Sequence, residues 1–335
     1  MNKTLDEKLV RLQADSSCQD FILCDAKDPD LGAGLAAAGL DHTRGSAPNR
    51  FRSMGQLRDS IREVTRQGLV DIMLMSPSTS EVLTMEERMF DNSPVTPAAR
   101  ANDTTDVWCG FSGSYADQPA LPFATTTIDH LMCGCYPGAA SGRGRGVNLA
   151  LFSMTFNNCP HIDRAMLESY KAFRLEAEAK GLRHILEVFS PNAPVEAVAD
   201  VPRFVNDCIV RSLAGVTKAA RPILLKIPYF GRSAMEALVH FDSSIPIGIL
   251  GGSAGTTCDA FHMLREAKNS GARAAFYGRK INHAEDQLTF VHYLRAIADE
   301  QIDPLEAVRA YHAELEQSGI PTFRTLDEDL QRTQV

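Results

Sequence analysis

Along this chain, a short apolar run alternates repeatedly with an amphipathic helical segment. Apolar runs of strand length lie at 21–26, 69–77, 147–156, 184–191, 222–229 and 272–280. Another strand and the turn after it occupy 245–257, and we expect a further strand at 106–113. Segments with helical spacing lie at 54–68, 163–181, 200–220, 233–241, 257–271, 285–300 and 303–319. Strands that alternate with helices form right-handed βαβ units around a parallel sheet. Eight such units fit a closed barrel better than an open sheet.

We therefore predict an α/β protein whose residues 1–335 form a single (β/α)8 TIM barrel. The prediction includes an N-terminal helix, a long irregular insertion around 78–146 and an extra C-terminal helix. A length of 335 residues would by itself suggest two domains, but α/β barrels of this size form one. The Gly- and Arg-rich stretch 133–146 predicts an exposed loop or lid.

Composition excludes several classes of function. A net charge of −8 argues against a nucleic-acid partner, although a local basic pocket can still bind a small anion. The N-terminus lacks the apolar core of a signal peptide, and no stretch approaches the length that spans a membrane. The eight cysteines form no CxxC pair, which indicates reduced thiols in a cytoplasmic protein. We expect no metal, no cofactor and a homo-oligomer.

Lys226 interrupts the apolar run "PILLKIPY", which we predict to be the sixth strand. Burying an ammonium group is costly, so the side chain either reaches water, pairs with a carboxylate or takes part in chemistry. Desolvation favours the neutral amine, which can attack a carbonyl and form a Schiff base. From the strand alone, the structural and the catalytic interpretations stay open.

Two carboxylates occupy comparable positions. Glu187 lies in the predicted fifth strand "LEVF", and Asp25 lies in the first strand "LCDA". Neighbouring fifth and sixth strands would place Glu187 beside Lys226, where a carboxylate can transfer protons during carbinolamine formation and C–C cleavage. The alternative is a salt bridge that only neutralises the lysine.

The turns after the seventh and eighth strands, "GGSAG" and "GRK", favour an anion site. Backbone N–H groups at helix amino ends bind anions, and barrels often bind phosphate at these two loops. The alternative is that the glycines serve only to form the turns and that the basic side chains lie in solvent. The candidate residues are Gly251, Gly252, Ser253, Ala254, Gly278, Arg279 and Lys280.

These motifs together resemble the class I, Schiff-base aldolase superfamily. The group includes the tagatose-1,6-bisphosphate, archaeal-type fructose-1,6-bisphosphate and deoxyribose-phosphate aldolases, and the resemblance runs from residue 20 to residue 300. It implies a metal-independent lyase for a phosphorylated ketose or keto-acid. It also implies that Lys226 forms the Schiff base, that Glu187 shuttles protons, that Asp25 is the strand-one acid and that both turns hold phosphate.

Some positions depart from the family pattern. Phe189 stands near the strand-five tyrosine of the archaeal type, and Asn148 stands in the strand that carries a lysine in the tagatose type. Lys27 takes the place of an arginine common in relatives, so we count Lys27 and Asn148 among the substrate-binding candidates. Arg143 and Arg145 could reach over the barrel mouth to a second phosphate, or stay in a solvated loop.

Two other readings stay open beside the aldolase. One is another reaction on a phosphorylated sugar, such as isomerisation or acyl cleavage. The other is a non-catalytic sugar-phosphate sensor, which would need neither Lys226 nor Glu187.

Overall fold

Eight parallel strands close into a barrel, as the alternating pattern predicts. The structure is a computed structural model that describes residues 2–15, 17–41, 50–107, 113–142, 144–252 and 255–333. Its strands are β1 (Ile22–Lys27), β2 (Ile72–Met75), β3 (Thr96–Arg100), β4 (Asp103–Thr104), β5 (Pro122–Phe123), β6 (Leu149–Thr155), β7 (Arg183–Phe189), β8 (Leu224–Ile227), β9 (Ile247–Leu250) and β10 (Ala274–Tyr277). The order around the barrel is β1-β10-β9-β8-β7-β6-β3-β2, while β4 and β5 form an antiparallel pair outside it.

The described residues form twelve α-helices, most of which cover the outer face of the barrel. They are α1 (Thr4–Ala14), α2 (Met54–Gln67), α3 (Pro77–Ser80), α4 (Ile128–Cys133), α5 (Pro160–Lys180), α6 (Val201–Ala214), α7 (Arg232–Phe241), α8 (Thr257–Asn269), α9 (Arg279–Asn282), α10 (Gln287–Ala298), α11 (Pro304–Gln317) and α12 (Leu326–Asp329). Local sequence sets several of their ends: Ser53 and Gln56 form a capping box before α2, and Gly68 ends that helix in a left-handed conformation. Among the described residues, no helix combines the length and apolar composition needed to cross a bilayer.

The barrel interior is a separate apolar cluster from the layer between strands and helices. Leu5 and Leu9 of α1 pack with Ile22 and Cys24 of β1, so the predicted N-terminal helix closes one end of the barrel. Leu23, between those two β1 residues, belongs instead to the outer layer. Side chains alternate between the two faces of a strand, so this assignment tells which polar residues point inward.

The third barrel strand differs from our expectation. It is Thr96–Arg100, whereas we expected a strand at 106–113. Asp106 and Val107 lie in a turn, and residues 108–112 lie outside the described part of the chain. The sequence "TPAAR" does not predict a strand, because it contains a proline and small residues instead of an apolar run. The segment 78–146 therefore contains a barrel strand as well as the β4–β5 pair and α4.

Candidate active site

Three polar side chains form a row across the inner face of the barrel. The strand registers pair Ser153 of β6 with Glu187 of β7, and Glu187 with Lys226 of β8. Lys226 Nζ lies 2.6 Å from Glu187 Oε1, and the Ser153 hydroxyl donates a 2.6 Å hydrogen bond to Glu187 Oε2. Lys226 is 4% exposed and its Nζ lies 5.4 Å from the centre of the Phe276 ring. The buried lysine thus has one carboxylate partner and one aromatic wall.

Arg100, at the carboxyl end of β3, extends this row. Its guanidinium donates to Ser153 Oγ at 2.7 Å and to Asp28 Oδ2 at 2.7 Å, and it reaches Glu187 Oε2 at 3.4 Å. Burial disfavours its charge, yet Asp28 and Glu187 outweigh that effect and raise the pKa of Arg100 above its ordinary value. A permanently charged arginine therefore orients the carboxylate that contacts Lys226.

Two aspartates around Arg100 have opposite pKa shifts. Burial acts to raise the pKa of Asp28, but Arg100 and Lys226 outweigh it, and the pKa falls below its ordinary value. For Asp103, burial dominates, the carboxylates of Asp28 and Glu187 add to it, and the pKa rises to about 7 despite Arg100. Asp28 is therefore ionised at neutral pH, and the pKa of Asp103 lies near neutrality.

The structure does not bring Asp25 or Lys27 into this cluster. Both alternate with the inward-facing residues of β1, so they lie on its outer face with Leu23. Lys27 Nζ lies 3.6 Å from Asp25 Oδ2 and donates to Gln287 Oε1 of α10 at 3.1 Å. Our expectation of Asp25 as the acid beside Lys226 is corrected here, because the inward acid at the end of β1 is Asp28. Lys27 likewise lies between the barrel and its helices, away from the mouth.

The turns after β9 and β10 lie side by side at the carboxyl ends of their strands. The Gly251 N–H donates to Phe276 O at 2.8 Å, and a Cβ at Gly251 would lie 2.3 Å from the Tyr277 ring. The Lys280 ammonium donates to Gly255 O at 2.7 Å and to Thr256 O at 3.1 Å. Burial, with Arg324 nearby, lowers the pKa of Lys280 to about 8. Lys280 therefore joins the two turns, and only a residue without a side chain fits at position 251.

The remaining candidates occupy different places. Gly278 precedes α9, where a Cβ would lie 2.5 Å from Ala26 O, and Arg279 begins that short helix as an exposed residue. Gly252 is exposed in the turn after β9, and Ser253 and Ala254 lie outside the described residues.

Asn148 is at the wrong end of the barrel for substrate. It immediately precedes β6, at the amino end of the strand, and its Oδ1 accepts a 3.2 Å hydrogen bond from Arg183 at the start of β7. The candidate chemistry is at the carboxyl ends, so the expectation for Asn148 is corrected. Arg145 also lies in the loop that enters β6 from this end, where Gly146 N donates to Met132 O. Arg143 lies outside the described residues.

Sequence reasoning missed Arg100, Ser153, Asp28 and Asp103. A usable signal existed for two of them, because period-two alternation from Cys24 leads to Asp28, and alternation from Leu149 leads to Ser153. Arg100 and Asp103 carried no such signal, since their strand and hairpin were not recognised.

Comparison with solved structures supports the barrel. An archaeal fructose-1,6-bisphosphate aldolase, with its catalytic lysine covalently bound to the carbinolamine intermediate of the substrate, is similar with a TM-score of 0.61 and 16% identity. That similarity covers 88% of this chain and 99% of the other. A fructose-bisphosphate aldolase from Slackia heliotrinireducens DSM 20476 gives a TM-score of 0.63 at 14% identity, over 92% of this chain and 91% of the other.

A third structure, from Corynebacterium glutamicum, gives a TM-score of 0.58 at 17% identity, over 89% of this chain and 94% of the other. No family model matches the sequence, and no curated protein is significantly similar to it. At these identities the comparisons confirm the predicted TIM-barrel fold. The chemistry has to be argued from the residues of this chain.

Proposed function

We propose that the protein is a class I aldolase that cleaves or forms a C–C bond in a phosphorylated ketose or keto-acid through a Schiff base on Lys226. The observation that carries the proposal is the buried Lys226–Glu187 pair inside the barrel, with Nζ and Oε1 2.6 Å apart. A lysine that only stabilised the fold would not need a carboxylate held in turn by Ser153 and Arg100. The similar aldolase that forms a carbinolamine on its catalytic lysine supports the same chemistry.

The arrangement accounts for the proton transfers of such a reaction. Glu187 accepts a proton from the Lys226 ammonium, and the neutral amine attacks the ketone carbonyl to give a carbinolamine. Protonated Glu187 then returns the proton to the carbinolamine hydroxyl, which leaves as water and gives the iminium. The iminium accepts the electron pair of the breaking C–C bond and becomes an enamine. Reprotonation and hydrolysis release the second product, so this route takes no metal.

Cleavage also requires a base that removes the proton of the substrate hydroxyl beyond the scissile bond. We assign this role to Asp28, because it is ionised, faces the mouth and is linked to Glu187 through Arg100. This assignment replaces Asp25, which lies behind β1. Arg100 acts as a positioning residue for both carboxylates.

Substrate anchoring falls to the turns after β9 and β10. The exposed Arg279 is the cation that we assign to one phosphate, and Lys280 holds the turns together. Because β9 and β10 follow β8 around the barrel, a phosphate there would hold the substrate carbonyl over Lys226.

Reductive trapping tests the proposal. The protein is incubated with ketose phosphates and borohydride, and intact mass and peptide mapping locate the adduct. We expect a stable adduct on the peptide that contains Lys226 and none in the variant Lys226→Met, which keeps the volume of the side chain. Product analysis then separates aldol cleavage from isomerisation.

Lys268→Met is the matched control. Lys268 is also buried and its Nζ lies 2.8 Å from Glu300 Oε1, but it belongs to α8 on the outside of the barrel. This variant should retain the Lys226 adduct. An adduct on any other lysine, or no adduct with the whole panel of ketose phosphates, would contradict the proposal.

A further inference from the structure

We infer that the substrate carries a single phosphate, held over the β9 and β10 turns, and that its other end is an uncharged hydroxylated group bound beside Arg100 and Asp103. The inference rests on the proposed aldolase function and specifies its substrate class. It follows from the distribution of charge on the two sides of Lys226.

Lys226 separates two chemically different regions of the mouth. In the order of strands, β9 and β10 lie on one side of β8, and β7, β6 and β3 lie on the other. The first side ends in the glycine turns with Arg279 and Lys280. The second side ends at Arg100 and the β4–β5 pair that begins with Asp103. A substrate bound to Lys226 by its carbonyl extends towards the glycine turns on one side and towards Arg100 on the other.

Arg100, the cation on the second side, is already paired with carboxylates. Arg100 contacts Asp28 at 2.7 Å, Glu187 at 3.4 Å and Asp103 at 3.7 Å, while Ser153 accepts a further hydrogen bond from it. Three carboxylates thus surround one guanidinium. A phosphate placed here would meet these carboxylates without a free positive charge to offset them, and like charges in contact cost several kilocalories per mole.

The space beside Arg100 is suited to hydroxyl groups. A small cleft is lined by Leu31, Pro77, Arg100, Ala101, Asn102, Asp103, Thr125 and Thr126. Arg100 is the one cation among these lining residues in the described part of the chain. Asp103 is 5% exposed, and its Oδ1 makes no hydrogen bond in the described structure. A buried carboxylate oxygen on a polar cleft is an acceptor that a substrate hydroxyl would satisfy.

The loop that could have supplied a second phosphate ligand lies elsewhere. Arg145 belongs to the segment entering β6 at the amino end of the barrel, opposite the mouth. In the described residues, the Gly- and Arg-rich loop therefore adds no cation to the Arg100 side.

The experiment compares phosphorylation states of the same sugar. Fructose, tagatose, sorbose and psicose are each supplied as the 1-phosphate, the 6-phosphate and the 1,6-bisphosphate. Borohydride trapping on Lys226 and kcat/KM for cleavage are measured at pH 8, where Asp103, with a pKa of about 7, is ionised. We expect one monophosphate to exceed its bisphosphate in kcat/KM by on the order of 100-fold, the scale of one like-charge pair about 6 Å apart at an effective dielectric constant near 20.

The variant Asp103→Asn tests whether the Asp103 carboxylate causes the preference for a monophosphate. Removing this charge should lower the ratio of monophosphate to bisphosphate kcat/KM by at least about tenfold. Asp207→Asn is the matched control, because Asp207 lies exposed on α6 and its loss changes the net charge equally. The ratio in that control should stay at the wild-type value.

The outcomes are distinct. A bisphosphate cleaved as well as or better than its monophosphates overturns the inference and leaves the aldolase proposal standing. An unchanged ratio in Asp103→Asn overturns the role given to Asp103. No adduct with any of the sugars overturns the aldolase proposal and the inference together.

Discussion

Replacing Glu187 with glutamine tests whether this carboxylate moves protons or only positions Lys226. Glutamine keeps the size of the side chain, but it presents one acceptor oxygen and one NH2 group where the carboxylate presents two oxygens, 2.6 Å from Lys226 Nζ and from Ser153 Oγ. It cannot accept the lysine proton. We expect turnover to fall by about 10²- to 10⁴-fold, the contribution typical of general acid–base catalysis.

The effect on stability should be smaller than the total stability of the fold. Breaking a buried ion pair by removing one charge costs about 3–5 kcal/mol, and the one hydrogen bond that the amide oxygen can still accept reduces this cost. Domains are commonly stable by roughly 5–15 kcal/mol, so the variant should stay folded. Urea unfolding of the variant measures the loss in free energy of unfolding separately from activity.

The assay is single-turnover imine formation, followed by borohydride quenching and intact mass, together with steady-state cleavage. We expect the variant to form the Lys226 adduct slowly and to turn over very little. Glu236→Gln is the control, because Glu236 is exposed on α7 and pairs only with Arg232 of the same helix at 3.7 Å. Turnover close to wild type in Glu187→Gln would reduce Glu187 to a positioning residue and refute the proton-transfer argument.

Two further predictions concern the mouth and the outer face of the barrel. Arg279→Ala should raise KM by about 10- to 100-fold with a smaller effect on kcat, because a charge-assisted phosphate contact contributes roughly 1.5–3 kcal/mol of mostly uniform binding. Arg203→Ala, an exposed arginine of α6, is its control, and an unchanged KM would contradict the phosphate role. Burial, opposed by Lys27, raises the pKa of Asp25 from 3.8 to about 6, so its stabilising contribution is complete below pH 3.8 and is lost as pH rises through 6. Asp25→Asn should remove up to roughly 3 kcal/mol of this pH dependence in urea unfolding between pH 4 and 7, and parallel pH profiles would contradict it.

The barrel and the central pair of the candidate site could be predicted from the amino-acid pattern alone. Apolar runs alternating with amphipathic helices specify parallel βαβ units, because each run buries both faces and each helix buries only one. The same pattern set Glu187 and Lys226 in consecutive strands, and residues at one level of neighbouring parallel strands necessarily lie close together. These inferences depend only on local periodicity and chain order.

The other polar residues that reach this pair depend on how the barrel closes. Arg100 comes from a strand whose proline and small residues show no apolar periodicity, so its contact with Glu187 depends on closure of the barrel. The choice between Asp25 and Asp28 depended on which face of β1 turns inward, and a shift of one residue exchanges the two faces. The barrel interior and the helical layer are both apolar, so composition along β1 could not distinguish them. The two faces of β1 are distinguished by what packs against them. The inner face packs against α1 and the opposite strands, and the outer face packs against α2 and α10.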